Sequence, residues 1–211
     1  MALDDVWRSY RKDASVYYKG TFERVPATSG VYAWFYPLRL AGDDLTEFIK
    51  EINTVLSFDA SSNGVATGSA EILYAWRRVG IEAVLAPKSS ELPSRIQTEW
   101  DRIKKHPGAK EGFEKMLLRS SVLMQPLYVG KTINLQRRCA EHRNGVDGEG
   151  TFRSRFQEFS QENKLRARSI SDLLFFTIET RGDVGGDEEK NLEDVLEELM
   201  KRICQPPYSK Q

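Results

Sequence analysis

The sequence predicts an α/β fold: a small antiparallel sheet flanked by helices, with a large helical insertion between the first two strands. Three observations point to it. Short β-branched and aromatic runs occur at Val31-Tyr32-Ala33-Trp34-Phe35-Tyr36, at Leu127-Tyr128-Val129 and from Asp172 to Ile178, each bounded by turn-forming residues. Apolar residues recur at helical spacing elsewhere, at Leu45, Phe48, Ile49, Ile52, Val55 and Leu56, and again at Leu192, Val195, Leu196, Leu199, Met200 and Ile203. The chain of 211 residues, 40% of them hydrophobic, is long enough for one domain with a real core, or one domain carrying an insertion.

Taken in order, residues up to about Gly20 read as an N-terminal arm or helix, with Val6, Trp7, Tyr10, Val16 and Tyr17 for packing. Pro26, Ser29 and Gly30 mark a turn, and Pro37 ends the strand that follows. The middle section reads as mostly helical. Asp43 and Asp44 are available to cap the stripe that begins at Leu45. Ile72, Leu73, Trp76 and Val79 suggest a second helix, or a helix running into a strand. Ile96, Trp100 and Ile103 fit another helix, stopped before Pro107-Gly108, and Phe113, Met116 and Leu117 a short further one. After the strand at Leu127, Asn134 opens a helix over Leu135–His142 that Asn144-Gly145 ends. Phe152, Phe156 and Phe159 fit a helix, Arg181 to Asp187 a glycine-containing loop, and the stripe from Leu192 to Ile203 a last helix ending before Pro206-Pro207. The divisions are 1–36 (arm and first core strand), 37–125 (helical insertion) and 126–211 (the rest of the core).

Composition excludes some classes of function. No apolar run reaches the ~18 residues of a membrane span. The N-terminal residues, with Asp4 and Asp5 and no apolar stretch, do not form a secretory signal. Cys139 and Cys204 are the only cysteines and read as reduced thiols of a cytoplasmic protein. A net charge of zero argues against a uniformly basic surface for sequence-blind DNA binding, but the charge is segregated. Bases outnumber acids from Lys131 to Arg168, whereas only Lys190 opposes the acids from Asp183 to Glu198.

Gly130-Lys131-Thr132 has the ending of a phosphate-binding P-loop, but the glycine required five residues before Gly130 is Gln125, and Pro126 to Val129 is strand-like. The segment fits a different pattern. Gly30-Val31-Tyr32 and Tyr128-Val129-Gly130-Lys131 resemble the two signature triplets of the GIY-YIG nuclease family. Arg138 stands ten residues after Tyr128 and His142 four further on, in Asn134-Leu135-Gln136-Arg137-Arg138-Cys139-Ala140-Glu141-His142. Leu196-Glu197 and the closing Pro206-Pro207-Tyr208 match the family's later glutamate and its Pro-x-Tyr-Asn ending, with Ser209 in place of the asparagine. The resemblance covers Gly30 to Tyr36 and nearly all of Leu127 to Tyr208. The family's two triplets are normally joined by a short hairpin; here the link from Ala33 to Pro126 is long enough to form a subdomain.

The resemblance implies a GIY-YIG-like core and hydrolysis of phosphodiester bonds in double-stranded DNA with Mg²⁺ or Mn²⁺, in restriction, phage defence or a mobile element. It implies catalytic roles for Tyr32, Tyr128, Lys131, Arg138, His142 and Glu197. Their chemistry is coherent. A carboxylate such as Glu197 can hold one hard divalent cation whose other positions go to water and phosphate. Arg138 offers planar donors matched to a phosphate, and His142, four residues on, shares its helix face. Tyr32 is implied as the base. A phenol with pKa near 10 needs a nearby cation for that task, a role open to Lys131 and the metal. Arg137, Arg143, Arg153 and Arg155 are candidate DNA contacts. Residues 37–125 are expected to contact the target, a partner protein or a second copy. The alternative is a GIY-YIG-like nucleic-acid-binding or interaction module, active only within a larger complex.

Overall fold

The computed structural model describes residues 14–56, 66–74, 77–85, 91–145, 151–180, 187–204 and 206–208. They form a mixed α/β structure. The strands are β1 (Ala14–Tyr17), β2 (Gly30–Phe35), β3 (Ala66–Tyr74), β4 (Arg77–Leu85), β5 (Tyr128–Thr132) and β6 (Leu174–Glu179). The helices are α1 (Leu45–Leu56), α2 (Ser94–Lys104), α3 (Pro107–Arg119), α4 (Leu135–Asn144), α5 (Phe152–Glu162) and α6 (Asp187–Cys204). None of the described helices is long and apolar enough to cross a membrane.

The chain divides into two compact units. One comprises residues 1–39 and 107–211, the other Leu40–His106. In the first, four antiparallel strands lie in the order β1–β6–β2–β5. Every residue of β2 is buried, as its aromatic and β-branched composition and central place require. Because side chains alternate along a strand, Val31, Ala33 and Phe35 point to one face and Tyr32 and Trp34 to the other. The first set forms a core with Val129 and Leu174, onto which Leu118, Val122, Leu196 and Met200 pack. Thus α6 covers this face, with the end of α3 and the turn after it. The opposite face is filled by Phe175, Phe152 and His142 around Trp34, so α4 and α5 cover it.

Local signals set the ends of these helices. The Asn134 side chain accepts from the Arg137 backbone N–H at 2.8 Å, and α4 stops at Gly145, whose φ of 76° suits glycine. Thr151 caps α5 by accepting from the Ser154 N–H. The chain end is drawn in as well. Buried Tyr208 donates its backbone N–H to the Leu127 carbonyl at 3.0 Å, and its ring packs on Phe152 and Phe156.

Two expectations need correction. The N-terminal segment supplies an edge strand, β1, with Val16 and Tyr17 paired to Phe176 and Phe175. Val6, Trp7 and Tyr10 lie outside the described residues. In the section between β2 and β5, read as mostly helical, the part around Ile72 to Val79 is instead strand: β3 and β4 form an antiparallel hairpin in the second unit. Val79, Ile81, Ala83 and Leu85 alternate with period two, as a strand requires, and Tyr74 stands opposite Arg77. Trp100, buried in the same unit, donates its indole N–H to the Asp43 carbonyl at 2.7 Å. Helix α3, expected in the insertion, belongs to the first unit.

Candidate active site

The register of β2 against β5 sets Tyr32 opposite Gly130 and Trp34 opposite Tyr128. The Tyr32 ring therefore lies over a residue without a side chain. A Cβ at Gly130 would stand 2.5 Å from Tyr32 Oη and 2.7 Å from its Cζ, so glycine is what admits the phenol. Helix α4 runs over the same face, turning Leu135, Cys139 and His142 inward. Burial pushes the Cys139 thiol up to about 12, which leaves it an inert packing group.

Four predicted residues meet here. Tyr32 Oη is 2.9 Å from His142 Nε2 and accepts from Arg138 Nε at 3.1 Å. The Tyr128 ring stacks 6.0 Å from Tyr32 and meets the His142 ring edgewise at 5.4 Å. Arg138 Nη1 donates to Glu141 Oε2 at 3.0 Å, which orients the guanidinium. Glu141 was not singled out in the sequence, although its place three residues after Arg138 is the signal for such a pair. Phe152 is a second omission. Its ring stacks 4.9 Å from Tyr128 and closes the aromatic wall behind His142.

Burial dominates the electrostatics. It holds the Tyr32 phenol well above its ordinary range, and Tyr128 adds to this while Arg138 only partly offsets it. Burial, then the Arg138 charge, presses His142 down to about 3. For Arg138 burial opposes the charge, but Tyr32, Glu141 and Tyr128 outweigh it and hold the guanidinium protonated. At neutral pH the constellation is a protonated Tyr32, a neutral His142 and a charged Arg138. With His142 pressed to about 3 and the phenol held well above its ordinary range, the imidazole is too weak a base to take the Tyr32 proton; it orients the hydroxyl through their hydrogen bond.

The structure does not bring Lys131 or Glu197 into this contact. Lys131 pairs with Val31 across the strands, so it points from the face opposite Tyr32, where it forms an ion pair with Asp194 of α6. It is therefore not placed to lower the Tyr32 pKa, as expected from the sequence. Glu197 lies on α6, whose Leu196 and Met200 pack on the Val31 face. Its side chain is 16% exposed and accepts an ion pair from Lys201 at 2.9 Å.

Of the candidate DNA-contacting arginines, Arg143 lies 4.5 Å over the Phe22 ring, and Arg155 Nη2 donates to the Tyr208 carbonyl at 2.5 Å. Both hold the fold. The Arg153 guanidinium packs against Gly145, where a Cβ would collide with it. Arg137 is the most open, 63% exposed and 3.6 Å from Glu141.

Among the described residues no three His, Cys, Asp or Glu side chains converge as a ready metal cage. Mg²⁺ does not require one, since it commonly takes one or two carboxylates and completes its shell with water and substrate phosphate. Glu197 would be the carboxylate for that mode, but it is held by Lys201 and its helix covers the Val31 face, opposite Tyr32. Ser209, standing where the family has asparagine, lies outside the described residues. Comparison with protein-family models, with curated proteins and with solved structures gives no match for this chain.

Proposed function

We propose that this protein is a metal-dependent DNA endonuclease of GIY-YIG type, with Tyr32, His142, Arg138 and Tyr128 as its reacting group. The observation that carries the reading is the Tyr32 hydroxyl held at once by His142 Nε2 and Arg138 Nε. A phenol with a hydrogen-bonded imidazole on one side and a fixed cation on the other suits attack on a phosphodiester. His142 and Arg138 fix the hydroxyl toward the attacking water, and Arg138 neutralises charge that grows on the phosphate. Tyr128, beside both, donates to the same phosphate. Glu197 would hold the divalent cation once DNA draws it from Lys201, and the cation would then supply Lewis-acid stabilisation of the developing charge. Restriction, phage defence or a mobile element is the setting that suits a nuclease core with an inserted unit.

One observation favours a second reading, a core that stays silent until a partner or DNA opens it. Tyr32 and His142 are only 1% and 2% exposed. Arg138, with a side chain 31% exposed, is the more open part of the group.

Incubation of purified protein with supercoiled plasmid tests both. Nicking or linearisation in Mg²⁺ or Mn²⁺ that stops in excess chelator, and that Glu197→Gln abolishes without lowering the melting temperature, supports the nuclease. Cleavage in chelator overturns the metal assignment. DNA binding without cleavage by the wild type supports the second reading.

A further inference from the structure

Helix α6 carries two apolar rows. Leu196 and Met200 turn inward onto the sheet. Val195, Leu199 and Ile203, each four residues from the next, are 59%, 49% and 74% exposed. That spacing sets them in one row along the helix. Single exposed apolar side chains are ordinary, but a row of three is a patch. At its end Ile203 borders a shallow cleft against the segment before β5, lined by Leu123, Met124, Gln125, Pro126 and Cys204. Leu123, at its rim, is 83% exposed.

Charge along the helix identifies the occupant. On the flank of the row Glu198 precedes Leu199 and Arg202 follows it, paired with each other at 2.7 Å. Asp194 and Glu197 lie on the far side of the helix, where Lys131 and Lys201 hold them. A second copy laid antiparallel brings Glu198 of each beside Arg202 of the other. A parallel copy would set like against like.

We infer that α6 is a dimer interface, in which two copies pack antiparallel about a two-fold axis at Leu199. Val195 of each copy then meets Ile203 of the other, as an isologous contact requires. A helix of 18 residues is roughly 27 Å long. The row alone is small against the ~1,000 Å² of a specific interface, and the adjoining cleft, with Leu123 at its rim, extends it. The association is accordingly modest, with a micromolar Kd. The inference does not depend on the nuclease reading.

Sedimentation velocity over a concentration series tests it with the full chain. The wild type shifts from monomer to dimer in the micromolar range. Leu199→Glu stays monomeric with an unchanged melting temperature, because Leu199 faces outward. Arg202→Glu weakens the dimer, and adding Glu198→Lys to it restores association. In a Cys204→Ser background, Leu199→Cys cross-links to itself under mild oxidation, since residues on the axis come within reach of a disulfide. A wild type that is monomeric throughout, or a dimer that survives Leu199→Glu, overturns the proposal.

Discussion

At the scale of single residues, burial rather than charge decides the chemistry. His142 has an ordinary pKa of 6.5, which applies in the unfolded chain, and about 3 in the fold. Between those values acid protonates the unfolded chain and not the native one. The native state therefore has its full stability above about pH 6.5 and loses it as pH falls toward 3. At 1.36 kcal/mol per pKa unit the loss from this residue reaches roughly 5 kcal/mol. We predict that the melting temperature of the wild type drops between pH 6 and pH 4, and that His142→Gln, which cannot titrate, flattens that slope. Equal slopes in the two proteins would show that His142 is not held neutral. The four residues of the cluster were legible in the sequence because their spacing carries geometry. Arg138 and His142 are one helical turn apart, and Tyr32 and Tyr128 each stand on a strand. All six candidates were placed by position in one motif; for Lys131 and Glu197 that position says nothing of which face of the sheet they serve. Alternation along β5 sends Lys131 to the face opposite Tyr32.

At the scale of elements, the site depends on how closely β2 and β5 approach. Gly130→Ala puts a methyl group against Tyr32 Oη and Cζ and within 2.9 Å of Tyr128 Cε1. Overpacking of this kind costs about 1–3 kcal/mol and displaces the phenol from His142 and Arg138. Activity should fall by orders of magnitude while circular dichroism remains native. Gly30→Ala should be worse for folding, because its Cβ meets the Ile178 backbone carbonyl, which cannot swing aside. A Gly130→Ala protein with wild-type turnover would mean that the Tyr32 hydroxyl is not required where it lies. Strands β2, β5 and β6 and helices α4, α5 and α6 were legible because their composition and caps agree with their surroundings. Strand β1 is short and lacks flanking turn signals strong enough to separate it from an arm. The β3–β4 hairpin was missed because Ala75-Trp76 is not a turn pair of the Asn-Gly kind, and because Ile72, Leu73, Trp76 and Val79 also fit a helical spacing.

At the scale of the whole molecule, the chain separates an inserted unit from the unit that builds the site. The strand ends that the insertion interrupts are already neighbours, with Trp34 opposite Tyr128 and the Leu127 N–H donating to the Trp34 carbonyl at 2.7 Å. Replacing Leu40–His106 by a flexible Gly/Ser linker, with α3 retained because Leu118 and Val122 pack on the sheet, should leave the first unit folded. The trimmed protein should keep phosphodiester hydrolysis and lose target choice. A trimmed protein that folds but no longer hydrolyses DNA would make the inserted unit part of the active site. The sequence showed that an insertion exists, from the distance between the two triplets. Its boundaries were not legible, because α3 is amphipathic like its neighbours and only packing assigns it to the sheet. The central claim, that Tyr32, His142 and Arg138 together hydrolyse a phosphodiester, meets its most direct test in single-turnover plasmid cleavage by Tyr32→Phe against the wild type in Mg²⁺. Phenylalanine keeps the ring over Gly130 and removes only the hydroxyl. The account predicts a wild type that cleaves and a folded variant slower by about 10²–10⁴; cleavage by the variant at the wild-type rate would contradict it.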